Sequence, residues 1–292
     1  MVIFMVREDG YSPRKVWQHT FARGRTTKLR PSSYWNFLTT AMICCTVTPA
    51  MMFYPQFFEW VGVDFSLQDL DVGLRWVGFV VMQITFMGFT LSLHDLEYVS
   101  MGTMIHRPVE LGLLAIFYAM GEIHLAFFVF MFMGVPLPAG ICFWLWRKET
   151  TVTSLKEYWS VLAFPNKERS ILGKWLELLG WIVLAFGTTV LIQPSWLLDI
   201  LGISQAPLVV GYVRVVGWAW MIVGWCYFMN ARHEHQAFFD IVLMQNLLGM
   251  LVCFALWSIG WFPTALLILV VVKNLLVILS CVTAGYIQSS KT

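Results

Sequence analysis

Residues 75–95, RWVGFVVMQITFMGFTLSLHD, decide the fold, because the chain uses their pattern twice. A second copy, RVVGWAWMIVGWCYFMNARHE, occupies residues 214–234. Both copies begin with an arginine, place a glycine three positions later, continue with an apolar run and end in a histidine and an acid. The copies lie 139 positions apart, and the same spacing relates Pro55 to Pro194. The pattern therefore predicts an internal duplication.

Composition indicates the class of protein. Hydrophobic residues make up 59% of the 292 residues and charged residues only 12%, whereas a soluble domain carries about 25% charged residues. Long runs almost free of charge are typical of membrane-spanning helices, which need about 20 apolar residues each. The chain is predicted to be an integral membrane protein.

The apolar runs predict about eight transmembrane helices. Because each half then holds an even number of spans, the two four-helix repeats run parallel, related by an axis along the membrane normal. The predicted fold is an all-α integral membrane protein. Its helices are expected over 34–58, 72–93, 99–120, 123–146, 174–197, 209–230, 238–260 and 262–287.

Charge distribution divides the chain and predicts its orientation. Residues 1–33 form a basic N-terminal tail, and a connecting loop, 147–173, joins repeat 1 (34–146) to repeat 2 (174–292). Lysine and arginine concentrate in the tail and in the loop, while the opposite turns are acidic or uncharged. By the positive-inside rule, both termini lie on the cytoplasmic or matrix-like side. The membrane is either a bacterial cytoplasmic membrane or an organellar one.

The repeated arginines need partners, because a buried guanidinium without a counter-charge is unfavourable. Carboxylates lie close in sequence: Asp71 for Arg75 and Asp199 for Arg214. We expect two structural ion pairs at these positions. The alternative is that the two arginines recognise anions.

Lys273 is the most unusual single residue. It lies with Asn274 about 11 residues into the last predicted helix, which at about 1.5 Å per residue is near the bilayer midplane. Gln83 is expected at a similar depth, and the repeat register sets Gly134 opposite Lys273. A charge at this depth usually faces a protein interior or a wet cavity. These three polar residues are candidate ligand-binding residues, with an interhelical polar clasp as the alternative.

Histidines offer a possible metal or haem site. His94 and His233 end the two copies of the repeated segment, and His106 opens the third predicted helix near the same face. Histidines from neighbouring helices hold haem or metal ions in other proteins.

Glu110 lies three positions after Arg107, a spacing that favours an ion pair on one helix face.

The segment 191–203, LIQPSWLLDILGI, followed by the second copy of the repeated pattern, resembles the unit of small DoxX-like four-helix bacterial membrane proteins. The shared features are a proline and Leu-Gly-Ile that end one helix, and Arg-x-x-Gly that opens the next. The resemblance implies a four-helix fold for each half. Some members of that family are linked to quinone-dependent oxidation, and no functional residue is carried over.

Three functions remain open at this level. The chain lacks a Walker loop, a dinucleotide-binding fingerprint and a nucleophile elbow, which favours a non-enzymatic structural or accessory subunit of a membrane complex, packed against other subunits or in a homo-oligomer. The second hypothesis is a binder or transporter of a small hydrophobic or anionic molecule near Lys273. The third is a haem- or quinone-linked redox protein. The lipid bilayer is the expected surrounding, and no nucleic acid is expected.

Overall fold

The computed structural model describes residues 13–21, 29–63, 65–67, 69–134, 136–163, 170–233 and 236–289, and all regular structure in these ranges is helical. The first seven helices are α1 (Pro13–Phe21), α2 (Pro31–Met42), α3 (Thr48–Phe53), α4 (Leu70–Ser92), α5 (Glu97–Ala119), α6 (Leu125–Gly134) and α7 (Pro136–Glu149). The next six are α8 (Leu155–Ala163), α9 (Ile171–Ile192), α10 (Ser195–Leu201), α11 (Pro207–His233), α12 (Gln236–Ser258) and α13 (Thr264–Ser289).

Among the described residues, six helical segments are long and apolar enough to cross a membrane, so the chain is an all-α, polytopic membrane protein. α2 and α3 form one of these segments together with the π-helical turn between them. The six segments are Pro31–Phe53, Leu70–Ser92, Ile171–Ile192, Pro207–His233, Ala237–Ser258 and Thr264–Thr283.

Two predicted helices are described differently in the structure. The helix predicted over 123–146 is described as α6 and α7, and Val135 between them lies outside the described residues. The helix predicted over 34–58 contains a π-helical turn, Ile43–Val47, just before Pro49. Proline lacks an N–H and its ring meets the carbonyl one turn earlier, so the backbone widens or ends there.

Other boundaries also differ from the prediction. The predicted helix 174–197 ends at Ile192, because a residue that precedes proline avoids the helical conformation, and α10 follows separately. Short helices lie inside both predicted polar regions: α1 in the N-terminal tail and α8 in the connecting loop. Residues 1–12, 22–28 and 164–169 of those regions are outside the described part of the chain.

α4 and α11 form the centre of the molecule. The buried share is 72% for the span in α4 and 67% for the span in α11, whereas it is only 28% for the spans in α9 and in α13. Trp76 of α4 and Trp220 of α11 are in edge-to-face contact, with their ring centroids 5.5 Å apart. The repeated arginine segments are therefore the two central helices.

Glycines let the backbones of α9 and α11 approach closely. A methyl group added at Gly187 would lie 2.7 Å from the Gly217 carbonyl oxygen, and one added at Gly180 would lie 2.9 Å from the Gly224 carbonyl oxygen. Small residues one or two turns apart permit this kind of contact between helices in a membrane. The two helices pack backbone to backbone along this line.

Candidate functional site

A cavity of about 430 Å³ lies between α2, the π-helical turn, α4, α5, α6, α7 and α11. Its walls are mostly apolar and include Met42, Phe130, Met131, Val215 and Ala219. Ligand sites in proteins have volumes of about 300–1,000 Å³ and combine apolar walls with a few polar groups. This cavity falls in that range.

One ion pair forms the polar part of the cavity wall. The Arg107 guanidinium lies 3.0 Å from the Glu110 carboxylate, and the two side chains are only 13% and 7% exposed. Both residues project from the same face of α5, because positions three apart on a helix are neighbours. Burying such a pair costs desolvation energy, which is offset only if further hydrogen bonds satisfy the remaining N–H groups and oxygen.

The other polar groups of the wall add mainly donors. Trp218 lines the cavity, and its indole N–H is buried without a hydrogen-bond partner among the described residues. The Thr85 hydroxyl already donates to the Val81 carbonyl oxygen, and the Trp35 indole donates to the Pro138 carbonyl oxygen. Arginine has five N–H donors, and the pair with Glu110 uses one of them. The cavity therefore offers more donors than acceptors.

Irregular backbone shapes one side of this cavity. Ile43 and Val47 belong to the π-helical turn and line the cavity, as does Gly134 of α6. A side chain added at Gly134 would meet open space, because no other atom lies within 4 Å of the added carbon. π-helical turns inside longer helices are frequent at functional sites. The π-helical turn before Pro49 thus lies beside the cavity.

The predicted midplane residues form a different, more compact cluster. Gln83 and Asn274 converge on Gly249, where an added carbon would lie 2.5 Å from the Gln83 amide nitrogen and 3.0 Å from the Asn274 amide nitrogen. Lys273 is partly buried on α13. None of these predicted ligand residues is part of the cavity wall described above.

Hydrogen bonds extend this cluster to residues that the sequence analysis did not single out. The Asn274 amide donates to the Asn246 carbonyl oxygen at 3.2 Å, and the Asn246 amide donates to the Tyr227 hydroxyl at 2.9 Å. The Tyr227 hydroxyl donates to Gln245 at 2.9 Å. The sequence does contain a signal for this network, because Tyr227, Gln245 and Asn246 are polar residues within apolar runs.

The arginine of the first repeated segment has the predicted neighbour. The Arg75 guanidinium lies 3.4 Å from Asp71, donates to the Met52 carbonyl oxygen and covers the Trp261 ring at 3.8 Å. The residue is buried and its main contacts are inside the protein. Arg75 therefore joins α4 to α3 and to the turn before α13.

The partner of the second arginine differs from the prediction. Arg214 lies 3.0 Å from Glu122, while Asp199 accepts a hydrogen bond from Gln205. Asp199 is exposed on α10, whereas the Glu122 carboxylate is buried in the turn between α5 and α6. Burial raises the pKa of Glu122, and the Arg214 guanidinium opposes that rise. Arg214 also donates to the Leu191 carbonyl oxygen at 2.6 Å.

The three predicted metal or haem histidines have separate surroundings. His106 bonds through Nδ1 to the Gly102 carbonyl oxygen at 2.9 Å on its own helix. His233 stacks on Tyr98 and contacts the Leu162 carbonyl oxygen through Nε2, and His94 lies in the turn after α4. Within the described residues, no group of three His, Cys, Asp or Glu side chains gathers in a metal-binding arrangement. His235 lies outside them.

Part of the cavity was visible in the sequence. The spacing of Arg107 and Glu110 predicted their ion pair, but neither residue was assigned to a ligand site. Trp218 carried no signal at all, since a tryptophan in an apolar run is ordinary. Comparison with protein-family models, with curated proteins and with solved structures finds no match to this chain.

Proposed function

We propose that this membrane protein binds one small amphipathic molecule in the cavity beside Arg107 and Glu110. The observation that carries the proposal is a buried ion pair in the wall of an otherwise apolar cavity of about 430 Å³. The apolar walls select an apolar body, and the ion pair selects a polar head. The binder hypothesis is thereby moved from Lys273 to the cavity at Arg107.

The excess of donors defines the class of head group. Arg107, which uses one of its five N–H donors on Glu110, and Trp218, whose buried indole N–H has no partner among the described residues, both line this cavity. A head group with acceptor oxygens, such as a carboxylate, an ester or a ketone, would satisfy them. Donors directed at such oxygens fix orientation, while apolar contact supplies most of the affinity. The expected ligand is a lipophilic molecule with an oxygen-bearing head.

The test is ligand retention in a pair of variants. The wild-type protein, purified in mild detergent, is extracted with organic solvent, and bound molecules are quantified by mass spectrometry. Arg107→Met combined with Glu110→Leu replaces the pair by apolar side chains of similar size, a change that folded proteins tolerate. The double variant is expected to lose the bound molecule.

A matched control removes a different ion pair. Arg232 lies 2.8 Å from Glu177 between α11 and α9, outside the cavity wall. Arg232→Met combined with Glu177→Leu is expected to keep the ligand at the wild-type level. Equal retention in both double variants would exclude the cavity as the binding site, and a wild-type sample free of any bound molecule would exclude the function.

We also propose the full architecture: eight spans in two parallel four-helix units, related by the spacing of 139 residues, as the DoxX-like resemblance implies. Equivalent contacts support it. Arg75 donates to the carbonyl oxygen of Met52 and Arg214 to that of Leu191. Across the halves, Arg75 contacts Trp261 and Arg214 contacts Glu122. In each comparison the second half repeats the first at that spacing.

Labelling of single cysteines tests the number of spans. If α5 and the α6–α7 pair both cross the membrane, Met120 and Thr151 lie on opposite faces, and Thr151 shares the face of the termini. In a background that lacks the native cysteines, Met120→Cys is expected to react with an impermeant reagent from the outside, and Thr151→Cys only after permeabilisation. Labelling of both from one side contradicts eight spans.

The duplication leads to one ligand per chain. The spacing carries Glu110 onto Gly249 and Ile222 onto Gln83. The Gln83 amide lies 2.5 Å from where a side chain at Gly249 would begin, so it occupies the space that corresponds to the Glu110 side chain. Native mass spectrometry is expected to find one bound molecule per chain. Two bound molecules would contradict this proposal.

The sequence-based alternatives stay predictions. An accessory subunit would co-purify with a larger complex after mild extraction, and a haem protein would show a Soret band. Ligand retention by a purified single chain separates the binder from the first alternative.

A further inference from the structure

A second, smaller space adjoins the cavity. This chamber has a volume of about 50 Å³ and lies between α2, α4, α5 and α11. Ile84, Arg107 and Ile222 line both spaces, so these three residues lie between the chamber and the ligand site. A water molecule needs at least about 10–15 Å³ of this kind of volume, so the chamber has room for roughly three.

The chamber wall carries a complementary pair of buried polar groups. His106 Nδ1 lies 2.9 Å from the Gly102 carbonyl oxygen, so this nitrogen carries the proton and Nε2 of the neutral ring is an acceptor. His106 Nε2 is buried without a partner among the described residues. The Trp225 indole N–H is a donor, and it too is buried without a hydrogen-bond partner among the described residues.

Gly102 brings these two groups to one wall. It bonds to His106, and a carbon added to it would lie 3.8 Å from the Trp225 indole nitrogen. The Tyr98 hydroxyl and Asn230, bonded to each other at 2.7 Å, add two more polar groups to the lining. A polar space with room for water and with several unsatisfied or partly satisfied groups is where buried water is expected.

We infer that the chamber holds ordered water that links the Trp225 indole to His106 and reaches the Arg107 side of the ligand site. One water that accepts from Trp225 and donates to His106 satisfies both buried groups, which are unfavourable without a hydrogen-bond partner. The link to the ligand rests on the proposed function, whereas the water itself does not. The ligand head is then bound directly by Arg107 and hydrated from behind it.

The first test detects the water without any ligand. X-ray radiolysis generates hydroxyl radicals from bound water, and these oxidise adjacent side chains. Met229 lines the chamber and is 3% exposed, while Met87 is fully buried in the core and lines neither space. Met229 is expected to be oxidised several-fold faster than Met87. Equal, slow oxidation of both methionines would overturn the inference.

The second test uses two substitutions at one position. Gly102→Ala places a methyl group in ordinary contact with Trp225 and displaces water, whereas Gly102→Ser places a hydroxyl group there. Displacing an ordered water without replacing its hydrogen bonds weakens binding. The alanine variant is expected to oxidise Met229 more slowly and to bind the retained molecule severalfold more weakly, and the serine variant to recover much of the affinity. Equal affinity in both variants would overturn the link between chamber and ligand.

The outcomes separate the two proposals. Rapid oxidation of Met229 in a protein that retains no molecule supports the water and contradicts the proposed function. Slow oxidation of Met229 in a protein that retains its molecule contradicts the water and leaves the proposed function standing.

Discussion

The ion pair of Arg107 and Glu110 shows how one interaction can serve binding at the expense of stability. Neither side chain reaches bulk solvent to any large extent, and the surrounding wall is mostly apolar. Replacing a buried pair with apolar residues is often neutral or stabilising, whereas removing one partner leaves an uncompensated charge. A pair kept in this position is consistent with recognition of a polar head group.

The stability of three variants tests this view. Glu110→Leu alone is expected to lower the free energy of unfolding by about 3–5 kcal/mol, because Arg107 then stays buried without its partner. Adding Arg107→Met is expected to recover most of that loss. Steric trapping in detergent measures the free energy. A double variant as unstable as the single one would show that the ion pair contributes to the stability of the fold, which contradicts a pair kept for ligand recognition.

Tyr227 has a structural role at the same scale. Its hydroxyl donates to Gln245 and accepts from Asn246. Tyr227→Phe leaves both amide groups without this partner and is expected to lower the free energy of unfolding by about 1–2 kcal/mol. Tyr118→Phe, at an exposed position, is the matched control and is expected to change stability by less than about 0.5 kcal/mol. Equal effects would contradict the network.

At the scale of helices, close contact between α9 and α11 depends on glycine. Four glycines bring the two backbones together, two from each helix. Without such residues the helices would stand further apart, and the contacts of Arg214 with the end of α9 would lengthen. The sequence contains the glycines, but only the packed structure shows which helix each one faces.

Gly187→Ala tests that contact. The added methyl group would lie 2.7 Å from both the Gly217 carbonyl oxygen and the Met221 amide nitrogen. Backbone atoms cannot rotate away, so the helices must separate, at a cost of about 1–3 kcal/mol. Thermal unfolding in detergent measures the loss. Gly112→Ala, where no atom lies within 4 Å, is the control and is expected to be neutral or slightly stabilising.

At the scale of the whole molecule, α4 and α11 join the parts of the chain before and after residues 164–169, which are the two proposed halves. Trp76 meets Trp220, Arg75 contacts Trp261, and Arg214 contacts Glu122. These contacts are inside the protein and do not depend on the chain that connects α8 to α9. The halves should therefore stay associated when that connection is cut.

A protease site inserted between residues 163 and 170 tests this expectation. After cleavage in mild detergent, the two fragments are expected to elute as one species with the thermal midpoint lowered by only a few degrees. Cleavage at a site inserted in the turn at residues 203–206 is the comparison, because it separates α10 from α11 within one half. Dissociation after the first cut would contradict an association through α4 and α11.

Several features could be predicted from the sequence because they depend on composition and short-range spacing. The membrane class, the apolar helices and the ion pair of Arg107 with Glu110 all follow from residues near one another in the chain. Asp71 beside Arg75 was found for the same reason. Pro49 was visible in the sequence, although the π-helical turn just before it was not predicted.

Tertiary structure alone decided the rest, because it sets which helix faces which. Glu122, not the nearby Asp199, pairs with Arg214 across 92 positions of the chain. Gln83 and Asn274 meet at Gly249 rather than opening a site, and the cavity forms where the segment with the π-helical turn packs against α4, α5 and α11. A cavity is space left between side chains that are distant in sequence, so no local pattern encodes it.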